Sequence, residues 1–195
     1  MNRITIYTAM ALLTGLLSVH TTAALPIGSF GAASRVTFGA LSGVPRGYYD
    51  LCRRGSTVCR LQKGGLRVDG GGAVRLTPAL VRELEEINRS VNRAIHPVSD
   101  APNRDTWSVG SRRGDCEDYA LTKKRALMGK GWPSSALLIA LARARGQQHA
   151  LLIVRTTDGD FALDNLRDKI VGWDRTGYRF EKVQSPREIW TWHGF

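Results

Sequence analysis

Residues 110–127 read GSRRGDCEDYALTKKRAL, and this stretch decides the fold because it sets a lone cysteine at the start of a predicted helix. Asp115 is the expected N-cap, and the helical pattern continues to Met128, where two glycines end it. Cys116 then lies in the first turn, where backbone N–H groups and the helix dipole favour a thiolate. The pattern predicts a candidate nucleophile.

The acidic residues around this cysteine, Asp115, Glu117 and Asp118, need a reason, because carboxylates oppose ionisation of a thiol. Asp115 can cap the helix, and Asp118 can face away from the thiol at the third helical position, where its charge favours the helix dipole. Asp115 and Glu117, with or without Asp118, can also bind calcium, which prefers clustered carboxylate oxygens. Both interpretations stay open at this point.

A cysteine nucleophile needs a base, and outside residues 1–24 the chain has three histidines, His96, His149 and His193. His149 opens a predicted strand directly after a polar turn, which is a suitable place to project into a cleft. Asp164 on the next predicted strand is the candidate acceptor that holds the imidazole tautomer.

The turn between these two strands decides whether His149 and Asp164 can meet. A two-residue turn at 158–159 would leave Asp164 two same-face steps from His149, roughly 13 Å away. A four-residue turn over 156–159 sets Leu151 opposite Asp164, one same-face step from His149. The pairing therefore predicts the longer turn or a bulge.

The chain begins with a pattern typical of export. Residues 1–24 carry one basic residue, an apolar run of about 16 residues and a small-residue end, which predicts a signal peptide cleaved after Ala24. The run is shorter than the roughly 20 residues that span a bilayer, and no other segment is suited to crossing one. We expect a periplasmic or secreted protein with no transmembrane segment after cleavage.

Charge and cysteine content fit this location. The mature chain keeps 27 of 28 basic residues and all 17 acidic ones, but the basic residues are scattered, so we expect no nucleic-acid partner. Three cysteines in an oxidising compartment indicate one disulfide and one free thiol. Cys52 and Cys59, which lie close together in CRRGSTVC, are the expected pair, and Cys116 is left free.

The remaining elements follow from periodicity and turn signals. Residues 25–44 lack periodicity and predict an extended arm, and residues 64–77 predict two short strands around a glycine turn. A helix with Thr77 as N-cap and Pro78 in its first turn should run until Pro97. Residues 135–146, SALLIALARARG, fit a helix or a buried strand equally well.

Three polar or aromatic residues outside the motif around the cysteine could touch the site. Asn88 and Asn92 lie one turn apart on the helix after Thr77, and we expect them to tie this helix to a loop. Trp107 lies in a polar loop over residues 98–113, and we expect it to pack beneath that loop instead of stabilising an oxyanion.

Four motifs, in order, carry a family resemblance over roughly residues 45–185. They are EEINRSVNRAI with a tryptophan-bearing loop after it, GDCEDYALTKKRAL, HALLIV and GDFALDNL, and together they resemble the bacterial transglutaminase-like cysteine peptidases. The loop SDAPNRDTWSVG matches the family pattern only in part, and residues 24–44 match nothing firmly.

The resemblance implies an α+β, papain/transglutaminase-like core over residues 45–195. A helix bearing the nucleophilic Cys116 would pack on an antiparallel β-sheet bearing His149 and Asp164, which together form a Cys-His-Asp triad. It also favours a strand over residues 135–143, SALLIALAR, and, as in some members of the family, calcium near the site at Asp115 and Glu117.

The predicted function is that of an exported cysteine peptidase that hydrolyses a peptide bond through a thioester acyl-enzyme. The alternatives are acyl transfer of the transglutaminase or deamidase type, and a non-catalytic envelope binding module on the same fold. We expect a protein or peptide substrate in the cell envelope, a monomer, and no cofactor required for the chemistry. Motifs typical of nucleotide, zinc or serine-nucleophile sites do not occur in the sequence.

Overall fold

The computed structural model describes residue 31 and residues 33–195 of the chain. The predicted signal peptide over residues 1–24, and the first part of the predicted arm, lie outside the described residues. Among the helices that the structure describes, none is long and apolar enough to span a bilayer.

Within the described part of the chain, three α-helices and nine β-strands form the regular structure. The helices are α1 (Arg46–Arg53), α2 (Pro78–Ala94) and α3 (Cys116–Gly129). The strands are β1 (Leu41–Ser42), β2 (His96–Pro97), β3 (Arg113–Gly114), β4 (Leu137–Ala144), β5 (Gln147–Thr156), β6 (Gly159–Leu163), β7 (Val171–Gly172), β8 (Arg179–Gln184) and β9 (Trp192–Gly194).

Seven of the strands form one antiparallel sheet in the order β1-β9-β8-β4-β5-β6-β7. Strands β2 and β3 form a separate short parallel pair. Helix α3 packs against β5 at the centre of the sheet, and α2 packs against α3. The chain is therefore α+β with an antiparallel sheet, as predicted.

The sheet is covered on both faces, because successive residues of a strand point to opposite sides. On β5, Leu152 and Val154 belong to the core that includes the helices, and Leu151 and Ile153 belong to a second core on the other face. Val36, from the predicted arm, packs into this second core, and its backbone N–H donates to the Asp160 carboxylate at 2.8 Å.

The ambiguous segment over residues 135–146 contains strand β4, as the family resemblance favours. Strand β4 lies between β5 and β8 and is buried along most of its length. A strand buried on both faces reads as an uninterrupted apolar run, which periodicity alone cannot separate from a buried helix.

The two predicted helix starts differ in how they are capped. The Thr77 hydroxyl accepts a hydrogen bond from the Leu80 N–H, so the predicted cap of α2 is confirmed. Asp115 occupies the N-cap position of α3, but its side chain makes no capping hydrogen bond, so that part of the prediction is wrong. Its carboxylate instead accepts from the Asp100 N–H at 3.4 Å.

The β5–β6 hairpin has the predicted register but a different turn. Leu152 lies opposite Leu163, which sets Asp164 beside Leu151 as the triad requires. The ladder continues as far as Thr156 opposite Gly159, so a two-residue turn at 157–158 makes the connection. The predicted four-residue turn or bulge is wrong, because the ladder extends one pair further, to Thr156 and Gly159, and Gly159 takes up a φ of 110°.

Two smaller corrections concern strand lengths. The two strands predicted within residues 64–77 reduce to a single bridge between Val68 and Val74, because the Asp69 carboxylate binds two backbone N–H groups of the turn itself. The strand predicted over residues 161–166 ends at Leu163, so Asp164 lies immediately after it.

Candidate active site

Strand β5 brings His149 to Asp164. The His149 Nε2 atom lies 2.8 Å from Asp164 Oδ1, and both residues are buried. With an ionised carboxylate as acceptor, Nε2 carries the proton and Nδ1 remains available as a base. The two residues predicted for these roles are thus in direct contact.

The second oxygen of Asp164 and its backbone are also held. The Tyr178 hydroxyl donates to Oδ2 at 2.6 Å, and the Arg167 Nε lies 3.5 Å from the same oxygen. The Leu166 N–H donates to Oδ1 at 3.0 Å. Burial alone raises the pKa of the Asp164 carboxyl, but the hydrogen bonds from His149 and Tyr178 outweigh it and hold that pKa below its ordinary value.

The loop after Asp164 is tied to helix α2 by two asparagines. Asn92 Nδ2 donates to the backbone oxygen of Asp164 and to the Asp168 carboxylate, both at 3.0 Å. Asn88 Nδ2 donates to the backbone oxygens of Arg167 and Asp168. The predicted link between helix and loop is confirmed, and the loop that it fixes is the one that carries Asp164.

Cys116 is the first residue of α3 and is the free cysteine, since Cys52 and Cys59 form a disulfide in the structure as predicted. Its sulfur lies 3.1 Å from a carboxylate oxygen of Glu117. Burial, followed by the negative charges of Glu117 and Asp115, raises the pKa of the Cys116 thiol, although the nearby backbone of Ala150 favours the thiolate. The expected lowering of the thiol pKa by the helix start is therefore overridden.

The acidic residues around the thiol do not act alike. Burial and the neighbouring Asp115 carboxyl raise the pKa of Glu117 to about 8. Asp118 is buried and accepts hydrogen bonds from the backbone N–H and the hydroxyl of Ser108. Asp118 is thus committed to the preceding loop, contrary to the expectation of an outward-facing charge.

Asp115 and Glu117 are the residues predicted to bind calcium. Their carboxylates are the hard oxygen ligands that calcium prefers, and their mutual repulsion is the kind of charge that a cation relieves. However, within the described residues no group of three or more His, Cys, Asp or Glu side chains is arranged to hold a metal ion. The pair therefore fits a calcium ion only with further oxygen ligands, such as backbone carbonyls or water.

A cavity of about 280 Å³ opens beside His149 and Glu117. Trp107 lines it but is itself buried, and its indole N–H donates to the Asp105 carboxylate at 2.6 Å. Its ring lies so close to Gly47 that a Cβ atom there would have no room. Trp107 thus has the predicted packing role.

Three residues near Asp164 were not predicted: Tyr178, Arg167 and Lys123. Lys123 lies on α3 and is buried, and its amine has no hydrogen-bond partner within the described residues. Burial lowers the pKa of Lys123 to about 7 against the opposing pull of the Asp164 and Asp168 carboxylates. The spacing of Lys123, seven residues after Cys116, was the one available signal, since it places both on the same side of the helix.

The chain is similar to a family of cysteine proteinases and to solved structures. A family model described as bacterial transglutaminase-like cysteine proteinase BTLCP matches residues 38–195. A calcium-bound structure of Legionella pneumophila LapG is 26% identical with a TM-score of 0.50, and the alignment covers 56% of this chain. It covers 66% of the LapG chain, just under two thirds.

Two other LapG structures, one of them EGTA-treated, align at 26% identity with TM-scores of 0.48 over 56% of this chain and 65% and 64% of theirs. A search of curated protein sequences returned no match. The family model spans most of the chain, including every residue of the candidate site, and the chain belongs to the bacterial transglutaminase-like cysteine proteinase family.

Proposed function

We propose that the protein is an exported cysteine peptidase that hydrolyses a peptide bond through a Cys116–His149–Asp164 triad and a thioester acyl-enzyme. The observation that carries this proposal is the buried 2.8 Å contact between His149 and Asp164 beside an open cavity. Membership in a cysteine proteinase family supports the choice of reaction.

Each triad residue would have one role. Cys116 attacks the peptide carbonyl, and His149 takes the thiol proton and later donates it to the leaving amine. Asp164 holds the imidazole with Nδ1 free as the base. The backbone N–H of Cys116 is the natural donor to the oxyanion, because it is one of the unsatisfied N–H groups at the start of α3.

Calcium would act on the thiol side of the site. Asp115 and Glu117 would hold the ion, and its charge would cancel the two carboxylates that oppose ionisation of Cys116. The calcium-bound structure of LapG, a similar protein, supports this assignment.

The location and partners follow from the sequence. The signal pattern in residues 1–24 supports a periplasmic or secreted protein, and the Cys52–Cys59 disulfide is consistent with an oxidising compartment. We propose a protein or peptide substrate in the cell envelope and a monomeric enzyme.

The test incubates envelope proteins with the mature protein in calcium and maps newly formed N-termini by mass spectrometry. The wild type should generate N-termini that the Cys116→Ala and His149→Ala variants do not. Incorporation of an added amine without new N-termini would show acyl transfer instead of hydrolysis. Equal slow alkylation of Cys116 in the wild type and in His149→Ala would indicate a non-catalytic module.

A further inference from the structure

Tyr178 contacts both members of the His149–Asp164 pair. Its hydroxyl donates to Asp164 Oδ2 at 2.6 Å. The Tyr178 and His149 rings make an edge-to-face contact, with their centroids 5.4 Å apart and an interplanar angle of 80°. One side chain thus binds the carboxylate and packs on the imidazole that this carboxylate orients.

Tyr178 is itself held in place by Arg167. The Arg167 guanidinium donates to the Tyr178 hydroxyl at 3.1 Å and lies over its ring, 5.2 Å from the centroid. It also donates to the Thr176 backbone oxygen at 3.1 Å. Because Arg167 belongs to the loop fixed by Asn88 and Asn92, the position of Tyr178 is tied to the backbone that carries Asp164.

Both oxygens of the Asp164 carboxylate have partners. Oδ1 accepts hydrogen bonds from His149 and the Leu166 N–H, and Oδ2 accepts one from Tyr178 and faces Arg167. A carboxylate with one oxygen free rotates about its side-chain torsion, whereas donors on both oxygens fix its plane. The direction of the hydrogen bond to His149 is therefore set from the opposite side by Tyr178.

We propose that Tyr178 is a positioning residue of the triad, which fixes the Asp164 carboxylate through its hydroxyl and the His149 imidazole through its ring. This proposal rests on the proposed peptidase function. In the proposed reaction Tyr178 does not touch the reacting atoms and acts only through Asp164 and His149.

The charge state of each group supports the assignment. Burial and the Asp164 carboxylate raise the pKa of Tyr178, so its hydroxyl stays protonated and remains a donor. The charged and titratable groups that face Asp164 are His149 from β5, Lys123 from α3, Arg167 from the loop and Tyr178 itself. Because the Tyr178 hydroxyl is uncharged, its removal leaves the formal charge of the site unchanged.

Two substitutions separate the two contacts. Tyr178→Phe removes the hydroxyl and keeps the ring, and Tyr178→Leu removes both. Tyr119→Phe is the matched control, because its hydroxyl also makes a 2.6 Å hydrogen bond, but to the Ile95 backbone oxygen and not to a triad residue. Thermal unfolding of all three variants separates stability from activity.

For Tyr178→Phe we expect kcat to fall about tenfold, since a hydrogen bond to a charged group is lost, with KM within about twofold of wild type. The low-pH limb of kcat/KM should move to higher pH, because the ionised Asp164 loses a donor. Tyr178→Leu should lose more, and Tyr119→Phe should keep the wild-type pH profile.

The second measurement needs no substrate. In the wild type and in Tyr119→Phe, proton NMR should show a downfield, slowly exchanging ring N–H of His149 bound to Asp164. Tyr178→Leu should lose this signal through exchange with water. An unchanged signal and pH profile in Tyr178→Leu would overturn the proposal. A wild type that cleaves no peptide but shows the Tyr178-dependent signal would count against the peptidase function alone.

Discussion

The two halves of the site are prepared to different degrees. In the base half, His149 and Asp164 are buried and Tyr178 is half-buried, and hydrogen bonds of 2.8 and 2.6 Å link the three side chains. The thiol half, Cys116 with Asp115 and Glu117, is a helix start at which the pKa values of both the thiol and the Glu117 carboxyl are raised. The base half is held in one arrangement by its hydrogen bonds, whereas in the thiol half neighbouring acidic residues oppose ionisation of the Cys116 thiol.

This difference has a physical reason. In the base half, the hydrogen bonds to the Asp164 carboxylate are strengthened by exclusion of water and outweigh the cost of burying its charge. Neighbouring carboxylates lose from the same burial, because repulsion between like charges grows as the local dielectric falls. The thiol half therefore depends on a positive charge or a proton from outside, whereas the base half contains its own partners.

The largest expected effect comes from disrupting the base half. His149→Ala should lower kcat/KM by about 10²–10⁴-fold, because the thiol loses its general base. The measurement is cleavage of an envelope-derived peptide with calcium present. His193→Ala is the matched control, since this histidine lies on β9 and contacts the Gly39 backbone oxygen. A comparable loss in both variants would place the base elsewhere.

The next effect concerns the thiol half and calcium. Removing calcium with a chelator should lower activity on the order of 10²-fold, because the acidic pair of Asp115 and Glu117 then opposes the thiolate with no cation to compensate it. Calcium should restore activity, and magnesium should do so poorly, because it demands tighter octahedral geometry. Glu117→Gln should lose the calcium response, and Glu85→Gln, on the surface of α2, should keep it. No response to the chelator would rule out the metal.

Glu117 should also make the free energy of unfolding depend on pH. Because burial raises its pKa to about 8 from an ordinary 4.5, the folded protein keeps between pH 5 and 7 a proton that the unfolded chain has released. The free energy of unfolding in chelator should therefore fall as pH rises through this interval. Calorimetry of wild type and Glu117→Gln checks this, and the variant should show a flatter pH dependence. Equal slopes would contradict the raised pKa.

A smaller effect should distinguish the two asparagines behind the base half. Asn92→Ala should lower the free energy of unfolding by about 1–3 kcal/mol and reduce kcat/KM about tenfold, because the Asp164 backbone loses its anchor. Asn88→Ala should cost similar stability but less activity, since its bonds reach only Arg167 and Asp168. Denaturant unfolding and peptide kinetics on both variants provide the test. Equal activity losses would show that the whole loop matters, not the Asp164 anchor.

Much of the base half could be predicted from the sequence, because its elements are local. The strand pattern at His149 and the helix pattern with Asn88 and Asn92 follow from periodicity and turn residues. The register of Asp164 also agrees with the prediction, although the turn has two residues instead of four. Tyr178 could not be found in this way, since it precedes β8, which pairs with β4 instead of β6.

The thiol half was predicted in outline and missed in detail. Sequence spacing puts Cys116 in the first turn of a helix, and the structure agrees. The partner of each acidic side chain depends on the loop before the helix. There the Ser108 N–H donates to the Asp118 carboxylate, and the Asp100 N–H donates to the Asp115 carboxylate. These hydrogen bonds form only in the tertiary structure. The burial that raises the thiol pKa, against the expected lowering, also arises only there.

The smallest expected effect tests whether Asp115 belongs to its helix or to the site. Its side chain makes no capping bond, and the first bonds of α3, from the N–H groups of Asp118 and Tyr119, go to the Asp115 backbone oxygen, which any residue supplies. In chelator, Asp115→Ala should therefore change the free energy of unfolding by no more than about 0.5 kcal/mol, since relief of repulsion with Glu117 offsets the lost contact. Thr77→Ala, at a true cap, should cost about 1 kcal/mol.

With calcium present, Asp115→Ala should lose stabilisation by the ion and Thr77→Ala should keep it, because only a ligand that binds the folded state raises stability. Denaturant unfolding of both variants, with and without calcium, gives the four values. A loss of about 1 kcal/mol for Asp115→Ala in chelator would make it a cap, and would remove the reason to count it among the residues that serve the thiol.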